Sequence, residues 1–231
     1  MAGPSRPRVI VYVDGFNLYY GSLKGTPYRW LDVSALATRL FPSADIQKIW
    51  YFTAEPKPDP SDPDKVARHR EYIRALGTVP RLEVKPGFYQ LKHSDQRKVY
   101  PLYRPNPKLP NPSNPIITMW KSEEKGSDVN LATAFLIDAA AHRFDEAWVM
   151  SNDADLAWPI ERAQGEYGVW IGVMKPERPA SFPNPVRPDS WHLTRAASAF
   201  RRTKEDQLAA CQFPPTLVDA AGLAIAKPPN W

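Results

Sequence analysis

Residues 9–13 read Val-Ile-Val-Tyr-Val, an apolar run rich in β-branched side chains that predicts a buried strand. Gly15 breaks it. Residues 32–40 carry Val33, Leu36, Ala37 and Leu40 at the spacing of one helix face. A second strand is predicted over 46–52, and a basic helix over 63–76 with Pro63 tolerated near its start. Residues 82–91 and 99–103 suit two strands of a hairpin or flap, and 116–120 suits another strand. The clearest helix covers 127–141, followed by a strand at 147–150, a helix at 156–164 and a strand at 169–173. A last short strand is expected at 192–194 and a helical turn at 196–202. Strands alternating with helices predict an α/β fold with a mainly parallel central sheet flanked by helices. There is no internal repeat.

Composition changes this picture in three places. The 26 prolines cluster near 56–63, 101–115 and 176–188, which marks those stretches as loops because proline fixes φ and lacks an N–H. The 231 residues, 43% hydrophobic, suit one core better than two. The organisation expected is a domain over 1–203, with a Pro-rich basic hairpin insertion at about 81–115, and a tail over 204–231 packing on it. Cys211 is the only cysteine, so an intrachain disulfide is excluded, and a reducing cytoplasm is the expected compartment. No apolar run has the length of a membrane span, and residues 1–8 lack the apolar core of a signal peptide, so no membrane partner is expected. The net charge of +5 is compatible with a polyanionic partner.

In an open parallel sheet, ligands bind beyond the carboxyl ends of the strands. Asp14 ends the first predicted strand. Asp153 and Asp155 follow the strand at 147–150, in Ser151-Asn152-Asp153-Ala154-Asp155. Asp128 opens the strongest helix, in Lys125-Gly126-Ser127-Asp128-Val129. Each acid also suits a structural job. Asp128 sits beside Ser127 as an expected N-cap, Asp155 suits the cap of the helix from 156, and Asp14 before Gly15 suits a turn. Four acids gathered at one sheet edge would repel one another, and a hard cation relieves that repulsion. Mg²⁺ or Mn²⁺ takes oxygen ligands and keeps water for chemistry, whereas four scattered His and one Cys offer no zinc spacing. Asn17 and Ser151 suit either the orientation of these carboxylates or a cap and a turn.

The stretch Val13-Asp14-Gly15-Phe16-Asn17-Leu18-Tyr19-Tyr20-Gly21 resembles the opening motif of the NYN domain, a PIN-like nuclease group. Lys125-Gly126-Ser127-Asp128-Val129 and Ser151-Asn152-Asp153-Ala154-Asp155-Leu156 resemble its central and late acidic motifs, in order. The end of the chain, from Pro214-Pro215 to Pro228-Pro229-Asn230-Trp231, is similar to the tail of many bacterial members. The resemblance implies a Rossmann-like PIN fold, a divalent metal, and hydrolysis of RNA phosphodiesters. It makes Asp14, Asp128, Asp153 and Asp155 the catalytic and metal-binding acids, with Asn17 and Ser151 as polar support.

Lys125 is a candidate for stabilising phosphate charge, though it better suits a solvated loop. Lys85, Lys92, Arg97, Lys98 and Arg104, interleaved with aromatics, suit a surface for single-stranded RNA, since basic groups track phosphates and rings stack bases. The resulting expectation is a metal-dependent ribonuclease, read as an endoribonuclease, with self-association left open. Two rivals remain. One is a non-catalytic RNA-binding or adaptor module. The other is a glycosyltransferase-like enzyme using Asp153-Ala154-Asp155, which leaves Asp14 and Asp128 unexplained. A phosphatase of the haloacid dehalogenase type is disfavoured because position 16 is Phe, not a second Asp.

Overall fold

The computed structural model describes residues 6–97, 116–182, 187–229 and 231. The β-branched run forms β1 (Arg8–Asp14), in which every residue after Arg8 is buried. The chain then turns into α1 (Gly15–Leu18), which runs on into a wide turn over Tyr19–Leu23. Next come α2 (Val33–Leu40), β2 (Asp45–Thr53), α3 (Lys65–Leu76) and β3 (Leu82–Pro86). Asp32 stops β-structure and starts α2 by accepting the amides of Ser34 and Ala35 at 2.9 and 3.0 Å. A ribbon follows, β4 (Phe88–Arg97) and β5 (Ile116–Lys125), paired antiparallel from Phe88↔Lys125 to Arg97↔Ile116. Then come α4 (Ser127–Ala140), β6 (Glu146–Met150), α5 (Ala157–Tyr167), β7 (Trp170–Lys175), α6 (Trp191–Ala196) and β8 (Ala199–Arg202). The chain closes with α7 (Glu205–Ala210) and a small pair, β9 (Thr216–Val218) and β10 (Ala224–Ala226).

The central sheet has the order β3-β2-β1-β6-β7-β8, with every neighbouring pair parallel. The chain winds outward from β1 to β3, then returns to the other side of β1 and winds outward again. Side chains alternate between faces as a pleated strand requires. Val9, Val11, Val13, Trp148 and Met150 enter one apolar cluster, with residues of α2, α3 and α7. Ile10, Tyr12, Ala147 and Val149 enter the other, with α4, α5 and α6. Leu208, Cys211, Phe213 and Ile225 extend the first cluster, and the Trp231 ring lies 6.2 Å from Trp30 and 5.7 Å from Tyr72.

Two stretches differ from the sequence expectation. Residues 192–194 are helical, because the Ser190 hydroxyl caps α6 by accepting the Leu193 amide at 3.4 Å. The strand comes later, where Ala199 pairs with Gly172 at the start of β8. The hairpin also pairs differently. Leu82–Pro86 belongs to the central sheet, beside β2, and β4 pairs instead with β5, which covers the strand expected at 116–120. The Pro-rich stretch at 101–115 and the strand expected at 99–103 lie outside the described residues.

One buried polar group ties α4 to the sheet. Asp138, on α4, accepts from the Tyr12 hydroxyl at 2.7 Å and the Trp50 indole at 3.1 Å, and pairs with Arg143 at 2.7 Å. Burial and the adjacent Asp138 charge push the Tyr12 phenol far above its ordinary range, so it stays a donor. Asp138→Ala strands that donor in an apolar layer. The expected cost is about 3 kcal/mol, read as a melting temperature lower by roughly 6–12 °C. An unchanged melting curve would show that this network does not hold α4.

Candidate active site at the carboxyl edge of the sheet

The winding reverses between β1 and β6, and their carboxyl ends therefore open a crevice between two diverging chain segments. Asp14 ends β1 at this point, and Val13 pairs with Met150, so Ser151 emerges beside it. Asp14 is only 2% exposed. Its Oδ1 accepts the Asn17 amide at 2.9 Å, and its Oδ2 accepts the Asn17 side-chain amide at 2.6 Å and the Ser151 hydroxyl at 2.9 Å. Asp14 thus caps α1, so the structural role open to it is filled. Gly15 is needed here for space, since a Cβ would lie 2.7 Å from the Phe52 carbonyl oxygen and 2.8 Å from the Tyr51 ring.

Burial raises the Asp14 pKa, the hydrogen bonds from Asn17 and Ser151 oppose the rise, and the neighbouring Asp153 charge adds to it. Burial, and then the Asp14 charge, likewise lift the Tyr51 phenol. Ser151 relays the arrangement onward, because its Oγ also accepts the Asp153 amide at 3.0 Å. Asp153 in turn accepts the Asp155 amide at 3.0 Å and caps the short turn Ala154–Leu156. Asp155, expected as the cap, is instead an exposed residue inside that turn.

Asp128 lies half-buried in the first turn of α4, which packs against the Ala154–Leu156 turn. Ser127 is not the N-cap expected. Gly126 takes that place, with φ of 95°, and Ser127 is the buried first residue of the helix. Lys125 ends β5 just before this turn. Asp14, Asn17, Ser151, Asp153 and Asp155 are therefore joined by one chain of hydrogen bonds, with Asp128 and Lys125 on the neighbouring element. Among the described residues, no three Asp, Glu, His or Cys side chains form a group able to hold a metal ion. The acids do not make a closed protein cage. The donors are nonetheless hard oxygens, and Asp14 Oδ1 accepts one hydrogen bond where a carboxylate oxygen has two lone pairs. That suits Mg²⁺, which is held by one or two carboxylates and completes its shell with water and substrate phosphate.

Lys85, grouped with the hairpin in the sequence reading, is a residue of β3. It pairs with Glu83 at 2.5 Å and lies over the Trp50 ring at 5.2 Å. Lys92 and Arg97 lie in β4, whereas Lys98 and Arg104 are outside the described residues. Sequence reasoning missed Asn152 and Lys175. The Asn152 side chain donates to the Pro188 carbonyl and accepts the Ser190 amide, both at 3.0 Å. Lys175, buried at the end of β7, pairs with Glu177 at 2.9 Å and Asp189 at 3.0 Å. Hydrogen bonding by Arg202, and then by Lys175, holds Asp189 below the usual carboxylate range. No local signal marks Asn152, because it finds its partners 36 and 38 positions away.

Comparison with known proteins adds three findings. Residues 8–201 match the NYN domain family. The chain is 32% identical to 6-hydroxy-3-succinoylpyridine 3-monooxygenase HspA of Pseudomonas putida, over 97% of this chain and 75% of that protein. Its fold is similar to the crystal structure of a protein of unknown function from Vibrio parahaemolyticus, with a TM-score of 0.51 and 16% identity, covering 89% of this chain and 98% of that one.

The raised Asp14 pKa has a stability consequence. Folding penalises the charged form, so the penalty is absent while the group is protonated in both states. It grows as pH rises through the ordinary carboxylate range and is complete above the folded value. Asp14→Asn removes it while retaining an acceptor for the Asn17 amide. The variant should therefore melt higher than the parent at pH 7, by about 2–4 °C for each kcal/mol relieved. The gap should close in acid. A variant that melts lower at pH 7 would show that the hydrogen bonds outweigh desolvation.

Proposed function

Since the chain belongs to the NYN domain family, a PIN-like nuclease group, we propose that it is a metal-dependent ribonuclease whose chemistry centres on Asp14 and Asp153. One observation carries this reading. A buried carboxylate stands at the winding reversal of the sheet, oriented by Asn17 and Ser151 and coupled to a second carboxylate. Burial penalises the Asp14 charge, and a perturbed carboxylate at such a position supports a ligand-binding role beside its capping of α1.

Asp14 and Asp153 would hold Mg²⁺ or Mn²⁺, which supplies a water of lowered pKa and offsets charge on the phosphate. Asn17 and Ser151 fix the Asp14 carboxylate so that it needs no reorganisation when substrate arrives. Asp155, exposed at the mouth, and Asp128, at the start of α4, are the acceptors for a proton from the attacking water. Lys125 would face the phosphoryl oxygens from the base of the ribbon. In the reaction, water oxygen bonds to phosphorus, the ester P–O bond breaks, and the leaving oxygen takes a proton.

Asp14→Asn and Asp153→Asn should each lower Mg²⁺- or Mn²⁺-dependent cleavage of single-stranded RNA about 1,000-fold, the loss expected when several kcal/mol of charge stabilisation disappear. Ser151→Ala, which frees the Asp14 carboxylate without removing it, should cost about 10- to 100-fold. Cleavage by both Asn variants at the parent rate would dispose of the carboxylate site.

A second reading follows from the relative named a monooxygenase, which is similar over nearly the whole chain. The same crevice would then take a small aromatic acid. One oxygen atom of O₂ would enter the ring while two electrons from a supplied reductant convert the other to water. Incubation with 6-hydroxy-3-succinoylpyridine, reduced nicotinamide and flavin, with oxygen uptake followed, separates the two. Uptake coupled to ring oxidation, with RNA left intact, favours the oxygenase.

A further inference from the structure

Exposed rings crowd the edge where the acids sit. Among the described residues, nine large apolar side chains are exposed. Five of them, Tyr20, Phe88, Val129, Trp158 and Trp191, lie just past strand ends or near the starts of the following helices. In a parallel α/β layer those starts share the carboxyl edge of the sheet. Single exposed apolar residues are ordinary, but such a concentration around one crevice marks an interaction surface.

The two tryptophans are the largest of these, 68% exposed at Trp158 and 61% at Trp191. Trp158 lies in the first turn of α5, three residues after Asp155. Trp191 opens α6, which packs against both α5 and the Ala154–Leu156 turn. Its position is fixed from two sides. Asn152, next to Asp153, holds Pro188 and Ser190, while buried Lys175 holds Asp189. The indole is thus tied to the acid-bearing loop through a short rigid segment.

Three of the four exposed rings at this edge, those of Tyr20, Trp158 and Trp191, have a cation beside them. Arg162 lies 6.0 Å from the Trp158 ring, Arg195 lies 4.6 Å from Trp191, and Lys24 lies 4.9 Å from Tyr20. A face for a planar group next to a positive charge, repeated around an acidic centre, matches a chain of alternating bases and phosphates. Duplex bases are stacked on each other and offer no free face.

We propose that Trp158 and Trp191 form a base-stacking platform that delivers unpaired nucleotides of single-stranded RNA to the carboxylates. This rests on the ribonuclease reading and moves the substrate path from the β4–β5 ribbon to the α5–α6 rim.

The test measures binding apart from cleavage. A 12-nucleotide mixed-sequence single-stranded RNA is titrated into the Asp14→Asn protein, with anisotropy and tryptophan fluorescence recorded. Bound bases should quench the indole emission. Trp158→Ala and Trp191→Ala should each weaken binding about 5- to 150-fold, with the dependence on salt unchanged, whereas Trp→Phe at either position retains most of the affinity. Arg195→Ala should instead flatten the salt dependence. In the protein with Asp14 intact and Mg²⁺ present, the Trp→Ala variants should raise KM and leave kcat. Unchanged affinity in both Ala variants, or equal binding of a blunt RNA duplex, overturns the platform. So does quenching by 6-hydroxy-3-succinoylpyridine with none by RNA. Weakened binding in the Trp variants without cleavage by the intact protein upholds the platform and removes the hydrolase reading.

Discussion

The pairing of β1 with β6 is the constraint from which the rest of the molecule follows. Their parallel register places Val13 against Met150, so the chain leaves both strands at the same level and in opposite winding directions. No helix can cover the gap between segments that diverge. Of the acids emerging there, Asp14 is buried and Asp155 is exposed, while the strands beneath them are buried on both faces. Asp14 and Ser151 are the first residues beyond that pair, which is why one is a buried acid and the other can bridge it to Asp153. The apolar run Val9–Val13 is therefore more than core. Its rigidity sets the height at which the carboxylate stands.

Much of this was legible in the chain. β1, α2, β2, α4, β6 and β7 lie within a few residues of their predicted positions, because each carries a strong periodic or β-branched signal. The acids past the strand ends were visible for the same reason, since a strand end is a local feature. Residues 192–194 were misread as a strand, whereas the Ser190 hydroxyl caps a helix that runs through them. The pair Arg201 and Arg202 suits an exposed helix, yet they form the edge of the sheet. Asn152 and Asp138 left no trace because their meaning comes from partners far along the chain. Exposure of Trp158 and Trp191 is likewise a property of the packed molecule, and a tryptophan in sequence reads first as core.

Membership of the NYN family and similarity to a protein named a monooxygenase are compatible at the level of architecture. A winding reversal offers a crevice, buried carboxylates and helix starts, and none of these dictates one reaction. What separates the chemistries is the set of groups around the mouth. Here that set is acidic at the centre, with Asp14, Asp153 and Asp155, and aromatic with cations at Trp158 and Trp191.

The ribbon has a different kind of consequence. Its two arms leave and rejoin the domain at neighbouring points, since Phe88 pairs with Lys125, and it lies between the last residue of β3 and the first of α4. The ends of the ribbon are therefore already closed at its root. Lengthening what lies beyond costs little, about 0.6 kcal/mol for each doubling of a flexible loop. Length can therefore change beyond the Phe88–Lys125 root at small cost in free energy, while the parallel sheet that carries the carboxylates keeps its own pairing.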